Sequence, residues 1–143
     1  MNLPILLIAE DDADDRLFIS DALEEVNSNV NLKFVHDGEQ LIEYLENQLT
    51  LEGHPDMPSI IILDLNMPKV DGREALKFVK SHRIFRSIPT LVLTTSKATE
   101  DIVKTYNLGV NSFVTNPSNY SEMVHLVSKL NAYWFTTVEL PSK

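Results

Sequence analysis

Short unbroken apolar runs alternate along this chain with longer segments whose apolar residues recur every three or four positions. The first run is Ile5-Leu6-Leu7-Ile8-Ala9. A strand with no polar residue on either side must be covered on both faces. Residues 12–27 then carry Ile19, Ala22, Leu23 and Val26 on one stripe, the pattern of a helix lying on a core. A shorter apolar run at 32–35 is closed by the turn signal His36-Asp37-Gly38. A second helix is expected over 39–49, with Leu41, Ile42, Leu45 and Leu49 facing inward. Gly53, Pro55 and Pro58 make 51–58 a loop, longer than most connections of its kind. A third strand follows at 59–63 and a third helix at 71–81, the latter burying Ala75, Leu76 and Val79. The pattern repeats with a strand at 89–93, a helix at 99–107 stopped by Gly109, a short strand at 112–114 and a helix at 120–133. Met123, Val127, Leu130 and Trp134 mark the inner face of the last helix, and 135–143 is a tail.

Strict strand–helix alternation implies a parallel sheet with helices on both faces. Ligands of open sheets of this kind bind beyond the carboxyl ends of the strands. Those positions hold Glu10-Asp11-Asp12 after the first strand and Asp64 after the third. Thr94-Thr95-Ser96 follow the fourth, and Thr115-Asn116-Pro117 the fifth. Carboxylates crowded on one edge raise one another's pKa, and a bound cation relieves them. Oxygen donors without sulfur suit Mg²⁺, which takes one or two carboxylates, waters and a phosphate. Asp64, ending the middle strand, is placed to attack phosphorus as a carboxylate nucleophile. Each residue also has a plainer explanation: Glu10 to Asp15 as a helix N-terminus, Asp64 as a turn cap before Pro68, Thr94 and Thr95 as a strand end. Their convergence on one edge favours the chemical reading.

The string Asp64-Leu65-Asn66-Met67-Pro68, followed by Asp71-Gly72, together with Asp11-Asp12 and Thr94, resembles the receiver domains of two-component response regulators over essentially the whole chain. The resemblance implies a flavodoxin-like (βα)5 fold with five parallel strands ordered 2-1-3-4-5, and one receiver domain spanning 1–143 with its tail. It implies that Asp64 accepts phosphoryl from a sensor histidine kinase. It implies that Asp11 and Asp12 hold Mg²⁺ with Asp64 and the backbone carbonyl of Asn66, one carboxylate acting through water. The Thr94 hydroxyl would swing to a phosphoryl oxygen and Phe113 would serve as the aromatic switch. Asn66 and Ser96 fall where side chains tune the lifetime of the phosphoryl group. Such a protein catalyses only its own phosphorylation and dephosphorylation. One position departs: the family's lysine after the fifth strand is Asn116 here. An amide donates a neutral hydrogen bond, about half as strong as a charge-assisted one. Lys69 and Lys97 lie near the same edge in sequence, as ordinary loop lysines or as substitutes. The long 51–58 loop and the apolar tail resemble small, stand-alone bacterial regulators paired with phytochrome-type kinases, a group associated with homodimers. Docking of that tail on its own domain is the alternative.

Composition narrows the partners. Twelve basic residues against 21 acidic ones leave a net charge of −9, which disfavours nucleic acid. The absence of cysteine excludes disulfides and thiolate metal sites and fits a cytoplasmic location. No run approaches the roughly 18 apolar residues of a membrane span. The four histidines share no ligand spacing. Lys77, Lys80, His82, Arg83 and Arg86 form either a partner patch or a solvated helix face. Two rival functions remain: a receiver-like docking or dimerising module indifferent to phosphate, motivated by Asn116, and an aspartate-nucleophile phosphatase. The latter needs a second acid where this chain has Asn66.

Overall fold

The structure, a computed structural model, describes residues 3–141; the outer limits of the single-domain reading, 1–2 and 142–143, lie outside the described residues. The elements run β1 (Ile5–Ala9), α1 (Ala13–Glu25), β2 (Asn31–Val35), α2 (Gly38–Thr50), β3 (Ile60–Leu63), α3 (Gly72–Ser81), β4 (Thr90–Thr94), α4 (Thr99–Leu108), β5 (Ser112–Thr115) and α5 (Tyr120–Trp134). All strand pairs are parallel, in the order β2-β1-β3-β4-β5. This is the flavodoxin-like receiver fold that the sequence implies.

The three inner strands are buried along their whole length, whereas β2 and β5 at the edges are only partly covered. Alternation of side chains along a strand divides them between two cores. Leu7, Ala9, Ile61, Leu63 and Val92 join Leu41, Leu45, Leu76 and Val79 beneath α2 and α3. Leu6, Ile8, Ile60, Ile62, Leu91 and Leu93 meet Ile19, Leu23, Met123 and Val127 beneath α1 and α5. The tail returns to this second core, where Trp134, Phe135 and Leu140 pack.

Local chemistry sets where the helices start. Asp12, Asp37, Asp71 and Asn119 cap α1, α2, α3 and α5, each side chain accepting from backbone N–H groups of the first turn. Gly109 ends α4 in the left-handed conformation at φ 107°. Three details differ from the periodicity reading. A 3-10 turn, Phe85–Ser87, precedes β4 and buries Phe85. On α2, Ile42 and Leu49 are only half-buried, while polar Gln48 is buried. Gln48 goes inside because its side-chain oxygen accepts the Asp56 N–H at 2.8 Å, pinning the long loop; the Tyr44 hydroxyl donates to the Asp56 carbonyl at 2.8 Å beside it.

Candidate functional site

The carboxyl ends of β1 and β3 are neighbours because these strands pair directly, Ala9 opposite Leu63. Each strand therefore delivers the residue after it to the same place. Glu10 is 3% exposed and accepts the Asp12 N–H at 3.1 Å. Asp64 follows β3; its N–H donates to the Ala9 carbonyl at 3.1 Å, and its carboxylate accepts the Asn66 N–H at 3.2 Å. Glu10, Asp11 and Asp64 each offer an oxygen within 4.8 Å of the others, a set able to hold a metal ion.

The electrostatics of this trio are those of crowded buried acids. Burial, aided by the charges of Asp64 and Asp15, pushes the Glu10 carboxyl up to about 8, with the Asp12 N–H opposing. Burial also raises Asp64, while the Asn66 N–H and the Thr94 hydroxyl pull it back. Asp15 is raised by burial and by its acidic neighbours, Asp12 first. A divalent cation among these oxygens would replace mutual repulsion with attraction, and the all-oxygen donor set fits a hard ion.

The sequence-expected residues are placed unequally. Asp11 joins Asp64, but Asp12 does not belong to the trio. Its carboxylate accepts the N–H groups of Asp14 and Asp15 at 2.8 and 3.1 Å and is committed to starting α1. Thr94 is fully buried, and its hydroxyl pulls the Asp64 carboxyl down against the effect of burial. Phe113 is half-buried against the core beneath α2 and α3, its N–H donating to the Tyr106 hydroxyl at 3.1 Å. The Asn116 N–H donates to the Thr94 carbonyl at 2.7 Å, and its side-chain oxygen is buried without a partner among the described residues. Lys97 is exposed, and Lys69, at φ 65°, points its ammonium to Asp37 at 3.9 Å. Gly72 has a strict role: a Cβ there would collide with the Asp64 carbonyl oxygen, so the Asp-Gly pair lets α3 start hard against the Asp64 loop.

A family model for the response regulator receiver domain matches residues 6–128. The chain belongs to this family. As a receiver it is 36% identical over 138 residues to the response regulator Rcp1 of Synechocystis, covering 96% of this chain and 92% of that protein. The crystal structure of the Mn²⁺-bound form of Rcp1 superposes with a TM-score of 0.88 at 33% identity, covering 97% of this receiver and 99% of the other chain. The phosphorylated cyanobacterial phytochrome response regulator RcpA gives the same TM-score, 0.88, at 33% identity over 99% of this chain and 100% of that one.

Two features of this receiver's edge escaped the sequence reading. Glu10 stands with Asp11 and Asp64, whereas the sequence points to Asp12 in its place; the first residue beyond an apolar strand is where such a group belongs. An ion-pair network of Arg73, Asp71 and Asp101 joins α3 to α4. It had no local signal, because Arg73 and Asp101 are 28 residues apart.

Proposed function

We propose that this receiver takes a phosphoryl group onto Asp64 from the phosphohistidine of a sensor histidine kinase, with Mg²⁺ held by Glu10, Asp11, Asp64 and the Asn66 carbonyl. The convergence of the Glu10 and Asp11 carboxylates and the buried Thr94 hydroxyl on Asp64 carries the reading. The bound cation would neutralise charge on the phosphoryl oxygens. Asp64 supplies the attacking oxygen, and the Asn66 N–H and Thr94 hydroxyl orient it. Afterwards the Thr94 hydroxyl is placed to donate to a phosphoryl oxygen, and Phe113 responds to its position. Asp12 serves the helix and reaches the ion only through water.

Likeness to Rcp1 and to the phytochrome response regulator RcpA supports a phytochrome-type kinase as donor. We place the protein in the cytoplasm as one receiver unit over 1–143; among the described residues no helix is long and apolar enough to cross a membrane. Val103 and Tyr106 on α4 and Tyr133 on α5, each about half exposed, support a homodimer. A phytochrome-type kinase carrying labelled phosphohistidine, mixed with this protein and Mg²⁺, is expected to pass its label to the native chain and not to Asp64→Asn. Label retained on the kinase against both overturns the pairing.

Asn116 favours a second reading, a docking module indifferent to phosphate. It places a neutral amide where the family has a cation, with its oxygen unpartnered. Asn116→Lys is expected to strengthen phosphorylation-linked dimerisation, read by sedimentation. Native dimerisation that ignores phosphorylation, left unchanged in the lysine variant, would favour the docking module.

A further inference from the structure

A chain of hydrogen bonds runs from the carbonyl of Leu65, the residue after Asp64, through α3 and α4 to the Thr94 hydroxyl. Arg73, in the first turn of α3, reaches the Leu65 carbonyl at 3.5 Å and both Asp71 oxygens at 3.1 Å. Its Nε and Nη2 grip the two oxygens of Asp101 on α4, each at 2.8 Å. Asp101 in turn accepts the Ser96 hydroxyl at 2.7 Å. The Ser96 N–H faces the Thr94 hydroxyl oxygen at 3.5 Å, and that hydroxyl in turn lowers the pKa of the Asp64 carboxyl. Helix α4 has no side-chain cap of its own, so Ser96, which also accepts the Ala98 N–H at 3.4 Å, and Asp101 together anchor its approach loop.

This arrangement is more than surface decoration. The Arg73 and Asp101 side chains are only 24% and 15% exposed. Their contact is bidentate, the geometry in which an arginine–carboxylate pair fixes orientation as well as distance. The guanidinium holds the Asp101 carboxyl down to about 2, with the Ser96 hydroxyl adding to the effect. The pair therefore stays charged throughout the range in which proteins work.

We infer that Arg73 and Asp101 are positioning residues: through Ser96 they hold the loop between β4 and α4 so that the Thr94 hydroxyl stays on the Asp64 carboxylate. The inference rests on Asp64 being the phosphoacceptor. In the transfer, an Asp64 oxygen bonds to phosphorus as the bond from phosphorus to the donor's leaving group breaks, with the electron pair leaving on the imidazole nitrogen when the donor is a phosphohistidine. With acetyl phosphate as donor, that electron pair leaves on acetate. A fixed Thr94 donor meets the charge on the phosphoryl oxygens without reorganisation. Asn116 offers no cation to the same charge, so the loss of Thr94 alignment has less to mask it.

The test is the initial rate of adduct formation with saturating acetyl phosphate and Mg²⁺, followed by intact mass, in Asp101→Asn, Arg73→Gln, Arg73→Lys, Ser96→Ala and the Asp101→Asn/Ser96→Ala pair. Asp101→Asn and Ser96→Ala are each expected to slow the reaction about tenfold, the effect of one misplaced hydrogen bond. The double variant should be no slower than Asp101→Asn, because both act through one contact. Arg73→Lys, which keeps the charge without the fork, should fall between native and Arg73→Gln. Mg²⁺ affinity should stay native, since Glu10, Asp11 and Asp64 are untouched. Ser96→Ala leaves the ion pair and the fold in place, so a rate within twofold of native there overturns the inference, as do multiplicative losses in the double variant. No adduct on the native chain, or one that persists in Asp64→Asn, removes the phosphoacceptor reading and the inference with it. An adduct confined to Asp64 but indifferent to this chain of hydrogen bonds removes the inference alone.

Discussion

A carboxyl group enclosed among other acids, as Glu10 is, works against the metal-free protein once it ionises. Its ordinary pKa of 4.5 rises to about 8 in the fold. A group raised in this way contributes stability that is full below its unfolded value and is lost as pH rises through its folded one. Without divalent cation, stability should therefore decline between about 4.5 and about 8. Glu10→Gln, which stays neutral throughout, should flatten the decline. Thermal midpoints against pH in a chelator measure both, and equal slopes would contradict the account. At this scale Asp64, Thr94 and Asn116 were legible from their places after apolar runs. The division of labour within Glu10-Asp11-Asp12 was not. Three adjacent acids read alike in sequence, and only the backbone path decides which faces β3 and which turns back to α1.

Helix ends link these residues to the elements. Asp12 starts α1 through two backbone N–H groups, whereas Asp11 sits with Glu10 and Asp64. Replacing an N-cap by alanine costs about 1 kcal/mol. Asp12→Ala should thus lower unfolding stability by about that amount while changing divalent-cation affinity little, and Asp11→Ala should weaken the cation at least tenfold. Denaturant titration and calorimetric metal titration separate the two effects; a larger loss of affinity in Asp12→Ala would favour the Asp11–Asp12 pair expected from sequence. Elements with a clear period were legible, β1, β3 and α3 above all. The 3-10 turn at Phe85–Ser87 was not, because three residues are too few to show a period. Buried Gln48 was missed because its partner, the Asp56 N–H, belongs to a loop whose path no periodicity reveals.

Over the whole molecule, the parallel sheet gathers Glu10, Asp11 and Asp64 into one acidic point, since parallel strands all end on one edge. That follows from topology, and topology was legible because unbroken apolar runs alternate with amphipathic ones. The tail's path across the core beneath α1 and α5 was not, since its apolar residues fit a self-contact or a second copy equally well in sequence. On the function proposed above, a cation and a phosphoryl group would share this acidic edge and meet at Asp64. The decisive measurement is the intact mass of the native chain and of Asp64→Asn after incubation with acetyl phosphate, each with Mg²⁺ and with chelator. One phosphoryl adduct on the native chain, requiring Mg²⁺ and absent from Asp64→Asn, is the predicted result. An adduct that persists in Asp64→Asn, or no adduct on the native chain with Mg²⁺ present, would contradict it.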